Sequence, residues 1–222
     1  MKRYTANLSK EIFRNISQVQ IFFTLKMSDS NKDNKGSAGL KLIPSDGDCF
    51  YRAVVEALLM NEDDVRNYEN VIKEEGDDGT VALRRTTAKA VTEEMFNKFK
   101  SYQEAELYDY QFMSSIDSVE ELRELIMVSG LKVGSKKCLW ANEFEIRAVC
   151  DALDICCLIL DMDTKDQASK HVKVGHARDK FIMLKRSGEH YTLVYRREVE
   201  GGKGLVGRNH LTETAFRSWN ID

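Results

Sequence analysis

The chain has 222 residues, 42% hydrophobic and 31% charged, and 33 basic against 36 acidic side chains leave a formal charge of −3. That length suits one large domain, or one domain with extensions, which can bury roughly 70% of its unfolded surface without help from disulfides or metal. The composition excludes a disordered chain, a collagen-like fibre and a coiled coil, and no stretch approaches the roughly 20 apolar residues of a bilayer crossing.

Taken in chain order, Leu8, Ile12, Ile16 and Val19 space out a short amphipathic helix. Ser28–Gly39 is polar or small throughout and predicts a linker, with Met27 just before it as an alternative start. Leu40–Ile43 is extended and ends at the turn signal Pro-Ser-Asp-Gly. Cys49–Met60 (CFYRAVVEALLM) is apolar on most faces, lacks Gly and Pro, and predicts a buried helix. Helical spacing follows over Asp63–Asn70 and Thr80–Lys100, and continues less regularly over Ala105–Phe112. Ser118–Ser129 opens with a capping-box pattern, and Asn142–Leu153 is a further helix. Then the period changes to strand-length runs at Ile155–Leu160, Lys180–Lys185 and His190–Tyr195, the last two joined by a four-residue loop, Arg186–Glu189. Residues 200–207 hold four glycines and predict a tail linker, followed by a short helix over Leu211–Trp219.

Helices first and antiparallel strands last predict an α+β domain, with helices packed on a small, mainly antiparallel C-terminal sheet. The expected division is 1–39 as N-terminal helix and polar linker, 40–196 as the main domain, and 197–222 as Gly-rich linker and short helix. The mild acidity argues against nucleic acid, whose partners are usually basic with a pI above about 9. Five cysteines, Cys49, Cys138, Cys150, Cys156 and Cys157, show no metal-ligand spacing, and an odd count leaves at least one free thiol. A reducing compartment is expected, with no metal and no cofactor.

The densest chemical signal is Ser45-Asp-Gly-Asp-Cys-Phe-Tyr-Arg52. A Gly-containing turn runs straight into the buried helix, putting Cys49 in its first turn. Unpaired N–H groups there favour a thiolate and can face a developing oxyanion. A small core hydrophobe is the competing reading of any single cysteine. A thiolate needs a base. His171, His176 and His210 fall in polar stretches, whereas His190 opens the last strand; the bland alternative is a half-exposed strand-end histidine. Trp140, in Leu139–Ile146, reads equally as core packing, and Asn142 as a helix cap.

Together these residues resemble the ovarian tumour (OTU) family of deubiquitinating cysteine proteases. Asp46-Gly47-Asp48-Cys49-Phe50-Tyr51-Arg52-Ala53 looks like the nucleophile motif, Trp140-Ala141 with Glu145-Ile146 is similar to the Trp-Gly/Ala segment, and Glu189-His190-Tyr191 resembles the His-Tyr motif. The resemblance implies a papain-like OTU fold and hydrolysis of isopeptide bonds after the C-terminal glycine of ubiquitin or a ubiquitin-like modifier. It implies Cys49 as nucleophile, His190 as general base and then acid, and Asp46 as the acid shaping the oxyanion loop. Gly47, Asp48, Trp140, Glu189 and Tyr191 become substrate-contact candidates. Ubiquitin or polyubiquitin is the implied partner, in the cytosol or a host cytosol, and the acidic Glu104, Glu106 and Asp109 could meet a basic modifier tail. The family often carries Asn or Asp two residues after the histidine; here stands Thr192, so Thr192, or alternatively Asn142, is the candidate orienting group.

Overall fold

The computed structural model describes residues 38–60, 69, 79–165, 171–175, 180–198, 201–203 and 205–207. The helices expected over 8–19 and 211–219, most of the one over 63–70, and His176 and His210 lie outside them.

The central element is helix α1 (Cys49–Leu59), and its sequence says why: Cys49, Phe50, Tyr51, Ala53, Val54, Val55, Ala57 and Leu58 are all buried, so it is covered on nearly every side. Each fully buried Val, Leu or Phe contributes about 1.5–3 kcal/mol, so this helix anchors the core. Its apolar sides meet one face of the sheet through Cys157 and Ile159, Ile182 and Leu184, and Tyr191 and Leu193, one pair from each of three strands. Those pairs obey the two-residue period of a strand. On the opposite face Cys156 and Phe181 form a small second cluster with Leu158 and Met183.

The strands are β1 (Ala38–Lys41), β2 (Cys156–Asp161), β3 (His171–Val174), β4 (Lys180–Ser187) and β5 (His190–Glu198), in the order β1-β5-β4-β2-β3. Two short strands extend the sheet: β6 (Gly201–Lys203) beside β5 and β7 (Leu205–Gly207) beside β4. Every described pairing is antiparallel except β2 with β4. The α+β expectation therefore holds, in a sheet that is mixed by one parallel pair.

Several local expectations change. The chain joins the sheet at Ala38, within the stretch read as linker, because β1 pairs with β5 over residues 38–41. Ser187 pairs with His190, so the hairpin loop is two residues, Gly188 and Glu189, rather than four. Gly188 supplies the positive φ of 59° that so short a loop needs. The Gly-rich stretch 200–207 adds two strands instead of only linking, since backbone ladders need no side chain. Strand β3 falls in a segment whose polar residues hid it.

The helix expected over Thr80–Lys100 breaks in two: α2 (Thr80–Ala90) and α3 (Glu93–Glu104). Thr92 is extended (φ −108°, ψ 164°), and its hydroxyl accepts the Met95 N–H at 3.2 Å. A cap that satisfies an orphan donor can end one helix and start the next without breaking the apolar phase. A 3₁₀ segment, Tyr108–Ser115, leads to α4 (Val119–Met127), capped by Ser118, then to the single turn α5 (Gly130–Val133) and to α6 (Glu143–Leu153). Val91, Phe96, Phe99, Met113, Val119, Leu122 and Ile126 make a separate helical core.

Candidate active site

The turn before α1 is held by its own side chains. Asp46 Oδ1 accepts the Asp48 N–H at 3.0 Å, and Asp46 Oδ2 takes Arg52 Nη2 at 2.9 Å from the first turn of the helix. Asp46 is thus placed to shape the loop. Gly47 sits at φ 91°, where a Cβ would stand 2.2 Å from Cys138 Sγ, so both conformation and space demand glycine. Asp48 is fully buried and its carboxylate turns away from the helix N–H groups. Its Oδ1 accepts Arg84 Nε at 2.6 Å, and its Oδ2 accepts the Ser129 hydroxyl at 2.6 Å and the Leu131 N–H at 3.0 Å. Burial alone would raise its pKa, but the Ser129 hydroxyl, the Arg84 guanidinium and the Leu131 N–H outweigh it and hold the carboxyl below its ordinary value. Gly47 and Asp48, candidates for substrate contact, are both buried, and the Asp48 carboxylate is taken up by the scaffold.

Cys49 opens α1 and is 2% exposed. Its thiol donates to the Glu189 carbonyl at 3.8 Å. Burial pushes the thiol pKa up, more than the N–H groups of Tyr191, Phe50 and Cys49 itself pull it down, and the Asp46 carboxylate adds to the rise. The lowered thiol expected of a helix start is not what the structure shows. Magnitudes explain this: a helix dipole is worth about 0.3–1 kcal/mol, whereas full desolvation moves a pKa by up to about 3–5 units, each 1.36 kcal/mol.

His190 is the first residue of β5. Its two neighbours frame the sulfur: Glu189 offers the carbonyl, and Tyr191 the backbone N–H. The hairpin therefore brings the strand-borne histidine to the start of α1, 141 positions along the chain from Cys49. The imidazole is half-buried, and its Nδ1 is buried with no hydrogen-bond partner. Thr192 lies two residues further along β5, yet makes no bond to that nitrogen. Asn142 does not reach it either. Its Oδ1 accepts the Phe144 N–H at 2.8 Å and its own N–H donates to Glu145 at 2.9 Å, a complete capping box for α6.

Tyr191, another candidate for substrate contact, lies in the core. It is 3% exposed, its ring meets Phe50 edge-on at 5.7 Å, and its hydroxyl joins Arg186, which pairs with Asp161 at 2.9 Å. Burial pushes that phenol up to about 12, so it stays neutral and structural. Trp140 is half-buried, its Nε1 donating to the Ser135 carbonyl at 2.8 Å, and the Glu189 side chain is exposed. These two keep surface available to a substrate. Glu104 and Glu106 are exposed, while the Asp109 side chain lies outside what the structure describes.

Arg84 was missed by sequence reading. It is fully buried at the centre of the network, donating also to the carbonyls of Ile126 (2.9 Å), Gly47 (2.9 Å) and Leu139 (3.0 Å). The available signal was its helix phase, which puts it on one face with the small residues Thr80, Thr87 and Ala88 of α2, all of them buried.

Among the described residues no cluster of His, Cys, Asp and Glu could hold a metal ion. No disulfide links the five cysteines, all of which lie among the described residues. Solved structures to which the chain is similar include an ovarian tumour (OTU) domain in complex with ubiquitin, at 15% identity over 81% of this chain and 80% of that one, with a TM-score of 0.49. The OTUD1 OTU domain is similar at 16% identity over 71% and 85%, TM-score 0.42. The viral OTU domain protease from Taggert virus is similar at 14% identity over 74% and 83%, TM-score 0.42. No curated protein matches the chain. The sequence profile described as OTU-like cysteine protease matches residues 44–191, two thirds of the chain, and that span runs from just before Asp46 to just beyond His190. The chain belongs to the OTU-like cysteine protease family.

Proposed function

We propose that this protein is a thiol-dependent deubiquitinase, hydrolysing the isopeptide bond after the C-terminal glycine of ubiquitin or a ubiquitin-like modifier. The observation that carries the reading is the seat of the Cys49 thiol, at the first residue of a buried helix and against the Glu189 carbonyl, one residue from His190. Family membership supports it, as does the family's solved ubiquitin complex.

The chemistry runs from a neutral thiol. His190 takes the proton as Cys49 Sγ bonds to the glycine carbonyl carbon. The oxyanion forms beside the Cys49 N–H, one of the donors that a helix start leaves unpaired. When the tetrahedral carbon collapses, the C–N bond breaks and His190 returns the proton to the leaving lysine amine. Water, deprotonated by the same imidazole, then attacks the thioester, releasing the modifier's carboxylate and restoring the thiol. Trp140 and Glu189 remain the candidates for contact with the modifier's tail. No metal or organic cofactor enters this scheme. Five cysteines outside any disulfide suit a reducing cytosol, or a host cytosol, as the place of action.

The unpartnered Nδ1 of His190 and the raised thiol favour a second reading, a module that binds ubiquitin without turning over. Labelling with ubiquitin carrying a thiol-reactive C-terminal electrophile separates the two. A covalent adduct on wild type, absent in Cys49→Ala and strongly reduced in His190→Ala, is the expected result. Reversible micromolar binding without an adduct would replace the hydrolase with the binding module.

A further inference from the structure

The peptide plane between Gly47 and Asp48, immediately ahead of the nucleophile, is held at both ends. Its carbonyl, on Gly47, accepts Arg84 Nη2 at 2.9 Å, and its N–H, on Asp48, donates to Asp46 at 3.0 Å. Because the Asp48 N–H is taken, it cannot serve an oxyanion in this arrangement. What the clamp fixes is the direction of the Gly47 carbonyl. A flip of this plane would turn that carbonyl dipole towards the start of α1, where negative charge develops during acylation, and would oppose it.

We propose that Arg84 is a positioning residue for the reaction assigned to Cys49, holding the Gly47 carbonyl inward and so keeping the oxyanion side of the loop lined only by donors. This rests on the hydrolase reading above. The same guanidinium ties together three segments that wall the loop: the end of α4 through the Ile126 carbonyl, the stretch before Trp140 through the Leu139 carbonyl, and α1 through the Tyr51 ring, 4.6 Å beneath it. Asp48 is the counter-charge that lets Arg84 stay buried, and its second oxygen is occupied by Ser129 and Leu131. Only a planar fork of five donors reaches all these acceptors at once. A lysine keeps the charge next to Asp48 but loses most of the carbonyl bonds.

The test follows hydrolysis of a ubiquitin C-terminal fluorogenic amide by wild type, by Arg84→Lys, and by the double variant Arg84→Met with Asp48→Leu. The double variant removes both buried charges together, a replacement that often leaves stability intact. Alkylation of Cys49 by iodoacetamide, which builds no oxyanion, is the control for an intact nucleophile. The expected result in both variants is a fall in kcat of about 100-fold, with KM and the alkylation rate within about twofold of wild type. Wild-type turnover with kcat unchanged in the folded variants would overturn this assignment alone. A parallel fall of kcat and alkylation would overturn it in favour of a purely structural role. No turnover by wild type, with Cys49 still alkylated, would overturn the hydrolase reading and this assignment together.

Discussion

The two sides of the site are held in opposite ways. On the nucleophile side each carboxylate oxygen of Asp46 and Asp48 has a partner, and Arg84, Ser129 and Leu131 lock the turn from the helical core. On the base side the backbone of β5 is firmly laddered to β1 and β4, but the imidazole it carries has a buried nitrogen with nothing to bond. An unsatisfied buried polar atom costs about 1–3 kcal/mol, so the second side is maintained by the sheet around it and not by its own contacts. The loop is built for one geometry before any substrate arrives. The histidine is built into place by its strand, with its ring orientation left open.

The largest effect should come from breaking the stronger side. Asp48→Ala leaves Arg84 charged, buried and unpaired, and should cost about 3–5 kcal/mol, read as the urea unfolding free energy. Because the folded pKa of Asp48 is depressed below its ordinary 3.8, its contribution is present above that value and lost as pH falls through the folded value. A second group near Arg84 runs the other way. Glu145, the 2% exposed acid of the α6 capping box, is pushed up to about 7 by burial, against the opposing pull of the Asn142 and Glu145 N–H groups and of Arg84. A raised acid prefers its proton in the fold, so stability should decline as pH rises from about 4.5 to about 7, by roughly 2–4 kcal/mol. Glu145→Gln should flatten that decline, and an unchanged slope would assign it to another group.

Next in size is Gly47. Gly47→Ala meets both the positive φ and Cys138 Sγ, and should cost about 1–3 kcal/mol in thermal unfolding. Adding Cys138→Ala should recover the clash but not the backbone strain. Full recovery by the double variant would show that crowding alone selects the glycine. Cys49 itself should report its burial. With the thiol pKa raised, less thiolate exists at any given pH, so iodoacetamide alkylation of Cys49 should still be climbing past pH about 8.5, the ordinary value of a free cysteine. A plateau reached in mildly acidic solution would reveal a preformed thiolate–imidazolium pair instead.

What could be read from the sequence follows the range of the interaction. The uninterrupted run Cys49–Leu59, the strand-length run of β2, and the cap residues Ser118 and Asn142 are all local signals, and each produced its element. The Asp-Gly-Asp-Cys turn and the strand-borne His190 were legible for the same reason. The break at Thr92 was not, because Val91 and Phe96 keep the apolar phase across it and pack into one core. The role of Arg84 was hidden for a different cause: helix phase hints at its burial, but its partners Asp48, Ile126 and Leu139 lie 36, 42 and 55 positions away, a distance no periodicity spans. The burial of Asp48 and Tyr191 was hidden likewise, since nothing in a short motif says which side chains point inward.

The smallest expected effect bears most directly on the contrast between the two sides. If Thr192 oriented the imidazole, it would bond one of the ring nitrogens, and the buried Nδ1 has no partner. Thr192→Val should therefore leave kcat within about twofold, since it removes no bond to the base. Thr192→Asn carries a carbonyl oxygen on a longer arm from the same strand position, two residues from His190. An acceptor on one ring nitrogen fixes the tautomer that leaves the other free to take the thiol proton, and it stabilises the imidazolium that forms. The gain expected is about tenfold in kcat, or about 1.4 kcal/mol, with KM little changed. A tenfold loss in Thr192→Val would instead mean that the hydroxyl swings onto the imidazole when substrate closes the site. That outcome would make the base side as fully partnered as the nucleophile side, and would remove the asymmetry between them.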